Sequence, residues 1–152
     1  MKRYMLAALE EAKKAYREDE TPVGAVVVKN GEIISSAHNA AEFCQNPLKH
    51  AETAALEAAM EKLGEKKLSG CELYVTMEPC PMCAWAAILS GVSKIVFGAY
   101  DMNAGALGSF FNLSVHPSAK NTEIYGGICE KECAILLKEF FRGVRKNENK
   151  TF

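Results

Sequence analysis

Apolar residues recur along the chain with two periods, and the switches between them lay out the elements. Over residues 2–18, "KRYMLAALEEAKKAYRE", the spacing is helical. Tyr4, Leu6, Leu9 and Ala12 share one broad apolar face, and Lys13, Lys14 and Arg17 fall outside it. In "GAVVVKNGEIISSAHN" two β-branched runs flank Asn30-Gly31, a dipeptide suited to the positive φ angles of a two-residue hairpin turn. The polar loop "NAAEFCQNP" follows. An alanine-rich helix is then expected from about Leu48 to Leu63, stopped by Gly64.

Beyond it, "CELYVTM" reads as a strand and "PMCAWAAILSG" as a helix with Pro81 in its first turn and Gly91 as its stop. "SKIVFGA" is a further strand, and the glycine-rich "DMNAGALGSFFNL" is expected to form a loop and a short helix. "TEIYGG" is a last short strand, and residues 129–146 a final helix. Strands and helices alternate after the hairpin, which predicts one mixed sheet with helices on both faces. A length of 152 residues without repeat or linker suits one domain covering 1–152.

Composition narrows the function classes. Hydrophobic residues at 49% and charged residues at 24% are ordinary for a soluble globular chain. No apolar run reaches the length of a membrane span. The basic, partly apolar N-terminus is broken by Glu10 and Glu11 and lacks a small-residue cleavage site. The expectation is therefore a cytoplasmic protein with no membrane role. A net charge of −1 gives no global attraction for nucleic acid, so a polyanionic partner would need a local basic patch. Six cysteines in a reducing compartment point to metal or redox chemistry rather than a disulfide framework.

The candidate chemistry lies in two stretches. "KHAETAALE" places His50 and Glu52 at the start of a helix, and "EPCPMC" places Cys80 and Cys83 where a strand gives way to a helix. Free backbone N–H groups and the positive end of the helix dipole favour thiolates there. A Cys-x-x-Cys pair alone is shared among metal sites, redox sites and buried thiols. With His50 as third ligand it becomes a zinc set with an open fourth position, the form that catalytic zinc takes. Residue i+2 on a helix points away from residue i, so Glu52 reads as a proton carrier beside that position rather than as a ligand. Cys71, Cys129 and Cys133 read as small core residues, Cys44 as a loop thiol, and Trp85 as a packing residue.

With "PVGAVVV", "HAE", "LYVTMEPCPMC", "IVFGAYDMNAGALGS" and "CAILLKEFFRGVR" the chain resembles the cytidine deaminase-like superfamily. More narrowly, it is similar to the bacterial tRNA-specific adenosine deaminase (TadA) family. The resemblance implies a three-layer α/β/α sandwich around a mixed five-stranded sheet, and a homodimer. It also implies one Zn2+ per subunit on His50, Cys80 and Cys83, with Glu52 as the catalytic proton shuttle. Asn39 would hydrogen-bond a flipped-out base, and Val23, Gly24, Ala51 and Pro79 would line its pocket. RNA would lie across a surface completed by the C-terminal helix, where Arg142, Arg145 and Lys146 are candidate phosphate contacts.

The chain departs from the family pattern around the site. "NPLK" precedes His50, so Asn46, Leu48 and Lys49 alter the rim. Thr53 stands where an apolar residue is usual, and Trp85 where a small one is. Two substrates therefore stay open: the wobble adenosine of tRNA, converted to inosine, and a free base of the guanine or cytosine type. A non-catalytic zinc-stabilised domain is a third reading, which Glu52 argues against because a structural metal needs no proton carrier.

Overall fold

The computed structural model describes residues 1–150 in backbone and 1–144 in side chains. Helix α1 spans Lys2–Arg17 and leads to the hairpin β1, Gly24–Lys29, and β2, Glu32–His38. Helix α2 is Ala51–Leu63, strand β3 Cys71–Met77, helix α3 Pro81–Ser90 and strand β4 Lys94–Ala99. Strand β5, Glu123–Tyr125, and helix α4, Glu130–Lys150, complete the order. The sheet runs β2-β1-β3-β4-β5. Strand β1 is antiparallel to β2 and β3, whereas β3, β4 and β5 are parallel. This is the mixed five-stranded sheet expected from the resemblance.

Strand alternation divides the interior into two apolar layers. Ala25, Val27, Leu73, Val75, Ile95 and Phe97 point to the face covered by α2 and α3. Val26, Val28, Tyr74 and Val96 point to the face covered by α1 and α4. Fully burying each larger aliphatic side chain contributes about 1.5–3 kcal/mol before entropy is counted. On α2 the inward positions Ala51, Ala55 and Ala59 are fully buried, and their small size lets the helix lie close to the sheet.

Several local expectations hold for their stated reasons. Asn30 and Gly31 have φ of 51° and 79°, the pair of positive angles a tight hairpin needs. Gly64 and Gly91 end α2 and α3 in the left-handed conformation. Others shift. The inward face of α1 is Met5, Ala8, Leu9, Ala12 and Ala15, and Leu6 is exposed. The helical period counted from Met5 buries one more position than the Leu6 count and excludes Leu6. Helix α2 begins at Ala51, because residues before it form turns leading from β2. Residues 101–112 of the glycine-rich run form turns and one isolated bridge, Leu107 to Asn112. The short helical pieces start at its last residue, as 3-10 turns at Leu113–Val115 and Pro117–Ala119.

Candidate active site

Two helix starts meet on one face of the sheet. His50 is the residue before α2, and Cys80 the residue before α3, with Pro81 fixing the first turn of α3. Both lead-in residues have extended backbone, and neither is capped by its own side chain, so their side chains are free to turn toward each other. Cys83 lies in the first turn of α3 and is buried. His50 Nδ1 is 3.7 Å from Cys80 Sγ and 3.3 Å from Cys83 Sγ. The three donor atoms lie within 4.8 Å of one another. Zinc bonds of about 2.3 Å to sulfur and 2.0–2.1 Å to nitrogen, in tetrahedral array, separate S and N by roughly 3.5 Å. The donor set fits zinc in type and in spacing.

The electrostatics suit ligands. The Cys80 thiol is pushed down to about 4, chiefly because Cys83 hydrogen-bonds it, with the His50 ring adding to the effect. His50 is raised, first by its bond to Cys80 and further by the Glu52 charge and the Pro47 carbonyl. The Glu52 side chain is 4% exposed, and burial raises its carboxyl above the ordinary range. A carboxyl with raised proton affinity is suited to taking up a proton and handing it on.

Around these residues is a cavity of about 170 Å³. Val23, Asn39, His50, Ala51, Glu52 and Cys80 contribute to its wall. Pockets for drug-sized ligands run to roughly 300–1,000 Å³, so this space suits a single heterocycle better than a whole nucleotide. The Asn39 side-chain Oδ1 is buried and has no hydrogen-bond partner among the described residues. A buried acceptor left without a donor costs about 1–3 kcal/mol, which marks Asn39 as awaiting a donor from a ligand.

Gly24 and Pro79 are not among the residues whose atoms line this cavity. The open side of Gly24 lies against α1: an added Cβ would sit 2.0 Å from the Ala8 carbonyl oxygen and 2.5 Å from the Ala12 nitrogen. Its glycine is thus required by helix packing, because only a bare Cα lets α1 cross β1 so closely. Pro79 is buried, and its carbonyl accepts from Ala106 N–H at 2.9 Å. Thr21, Met77, Glu78 and Asp101 line the cavity as well. The sequence offered a hint of Glu78 alone, as the residue opening "EPCPMC".

Arg142 is exposed on α4 and borders a second hollow with Asn103, Leu137, Lys138 and Phe141. The side chains of Arg145 and Lys146 lie outside the described residues. Cys44 is exposed, Cys71 and Cys133 are buried, and Cys129 is half-buried at the entry to α4. Trp85 is partly exposed, its ring edge-on to His116 with centroids 5.0 Å apart. No helix among the described residues is long and apolar enough to cross a membrane.

Comparison with known proteins agrees with this geometry. Residues 1–99 match the model of the cytidine and deoxycytidylate deaminase zinc-binding region. The tRNA-specific adenosine deaminase of Bacillus subtilis is 47% identical over 146 residues, covering 95% of this chain and 91% of its own length. That of Aquifex aeolicus is 45% identical over 144 residues, covering 95% of each. A structure from studies of A-to-I editing by tRNA:A34 deaminases superposes with a TM-score of 0.86 at 36% identity, over 90% of this chain and 100% of the other. Guanine deaminase from Nitrosomonas europaea superposes with a TM-score of 0.78 at 27% identity, over 91% of this chain and 83% of the other. With the His-Cys-Cys donors, the carboxyl beside them and this likeness along nearly its full length, the chain belongs to the tRNA-specific adenosine deaminase family of zinc-dependent deaminases.

Proposed function

We propose that the protein deaminates the wobble adenosine of tRNA to inosine, with one zinc per subunit held by His50, Cys80 and Cys83. The observation that carries this reading is the buried Glu52 carboxyl on the wall of a base-sized cavity that also exposes His50 and Cys80. Zinc, when bound, supplies the Lewis acidity that makes water a nucleophile at neutral pH.

The side chains do the remaining work. The adenine enters the cavity splayed out of its strand, since a stacked base cannot reach it. Asn39 binds the base edge, its unpaired Oδ1 accepting from the base and its amide nitrogen donating. Water oxygen bonds to C6, the C6–N bond breaks, and ammonia leaves. Of the two water protons, one ends on purine N1 and the other on the departing amine. Glu52 carries them, and its raised proton affinity suits both deliveries.

The tRNA substrate is supported by the identities to tRNA-specific adenosine deaminases and by the cations of α4, of which Arg142 stands exposed. A homodimer belongs to the same reading, because Trp85, Leu89 and Val115 leave apolar surface open. A tRNA substrate also locates the enzyme in the cytoplasm. The free-base alternative has support from the likeness to guanine deaminase and from a cavity sized for a base. One assay separates them: purified protein incubated with tRNA and with free guanine, cytosine and adenine, following ammonia and inosine. Inosine in tRNA without ammonia from free bases supports the first reading; the reverse replaces it.

A further inference from the structure

Two buried carboxyl groups flank the cavity, and the deamination chemistry uses neither. Glu20, 0% exposed, accepts Glu42 N–H at 2.8 Å and Phe43 N–H at 3.0 Å, one on each oxygen. Those amides belong to the loop between Asn39 and His50, two residues that line the cavity. Glu78, 2% exposed, accepts Leu107 N–H at 3.1 Å and Ser109 N–H at 3.2 Å on one oxygen. Its other oxygen takes the Ser109 hydroxyl and, at 3.4 Å, the N–H of Asp101. Asp101 is itself in the cavity wall and holds the next turn through Asn103 and Ala104 N–H.

Both carboxyl groups sit on or beside the scaffold and grip backbone that is not in the sheet. Neither is paired with a lysine or arginine among the described residues. The fit at Glu78 is close: a Cβ on Gly105 would lie 2.4 Å from its Oε2. A buried carboxylate satisfied only by loop N–H and O–H donors fixes the position of that loop, since releasing it strands donors and acceptor together.

We propose that Glu20 and Glu78 are positioning residues that clamp the two loops flanking the base cavity, each setting one side of it independently of the other. The proposal rests on the deaminase reading for its kinetic consequence, though not for its structural one. Hydrogen exchange on the zinc-loaded protein, followed by mass spectrometry or NMR, tests the clamps without any substrate. Glu20→Gln is expected to speed exchange about tenfold at Glu42 and Phe43 and to leave Leu107 and Ser109 unchanged. Glu78→Gln is expected to do the converse. An amide keeps the size of the side chain but turns a donor toward an N–H.

In the deamination assay both variants should raise KM about tenfold while kcat moves less than threefold, since a loosened wall weakens binding of the base more than the proton transfers. Unchanged protection at the clamped amides overturns the proposal. So does faster exchange spread over the central strands with KM unaltered, which assigns the carboxyls to general stability. Should Glu78→Gln not fold, Ser109→Ala removes one donor from a half-buried position and should raise exchange at Leu107 and KM in smaller measure. A silent Ser109→Ala then overturns the Glu78 clamp. If the protein acts on a free base instead of tRNA, the exchange result stands unaffected and KM is read on that base.

Discussion

Cys83 Sγ lies 3.3 Å from Nδ1 of His50, although 33 residues and a full strand separate them in the chain. The contact exists because α2 and α3 start at the same end of the sheet and on the same face. Metal binding therefore joins two elements that lie far apart in the chain.

Freshly purified protein should carry about one zinc per chain by elemental analysis. Cys83→Ala should weaken zinc binding by more than about 100-fold, since the loss of even an outer-shell partner costs 10–100-fold. Full zinc retention in Cys83→Ala would remove the cysteine from the ligand set.

Glu52→Ala should bind zinc and keep its melting temperature within a few degrees, because it deletes a buried carboxyl rather than a packing residue. Its turnover should fall at least about 10²–10⁴-fold, the size of a lost general acid–base. A variant with near-normal turnover would exclude Glu52 as the proton carrier.

Arg142→Ala combined with Arg145→Ala should weaken tRNA binding and leave activity on any accepted small amine unchanged. Losing two phosphate contacts on single-stranded RNA should reduce the slope of log K against log salt by about 1.4. A salt titration by filter binding reads this directly, and an unaltered slope would move the RNA path away from the end of α4.

His38 bridges Glu11 and Glu18, with ring nitrogens 3.0 and 2.9 Å from their carboxylates, and Lys14 holds the other oxygen of Glu11. Burial works against the charged ring, but the two carboxylate bonds outweigh it and the His38 pKa is raised. A raised folded-state pKa gives stability that is complete below the unfolded value of about 6.5 and is lost as pH rises through the folded value. After screening at this partly exposed site it amounts to roughly 0.5–1 kcal/mol. His38→Gln should therefore lower the melting temperature at about pH 6 and converge with the parent protein as pH rises through the raised folded-state value. Parallel curves across that range would show that the ring is not charged in the folded protein.

The zinc donors were legible because spacing encodes them: one turn for Cys80 and Cys83, and a helix start for His50 and Glu52. The hairpin turn and the helix ends were legible because Asn30, Gly31, Gly64 and Gly91 take the positive φ angles their residue types tolerate. The partners of Glu78 were not, since they lie 23 to 31 residues further on, in a loop without periodicity. Nor was the role of Gly24, which depends on where α1 crosses the sheet. The face of α1 was misplaced by Leu6 because a helix with apolar residues on many sides does not by itself choose between adjacent stripes.

The metal donors stand at the starts of two helices, while the rim is carried by loops outside the sheet. That arrangement separates what inheritance must preserve from what it can revise. Side chains such as Phe43, Leu48 and Phe110 point outward from the rim and are largely exposed, so replacing them leaves the donor atoms where they are. A lineage built on this plan can change the molecule it accepts by rewriting its rim, and keep its reaction unaltered while doing so.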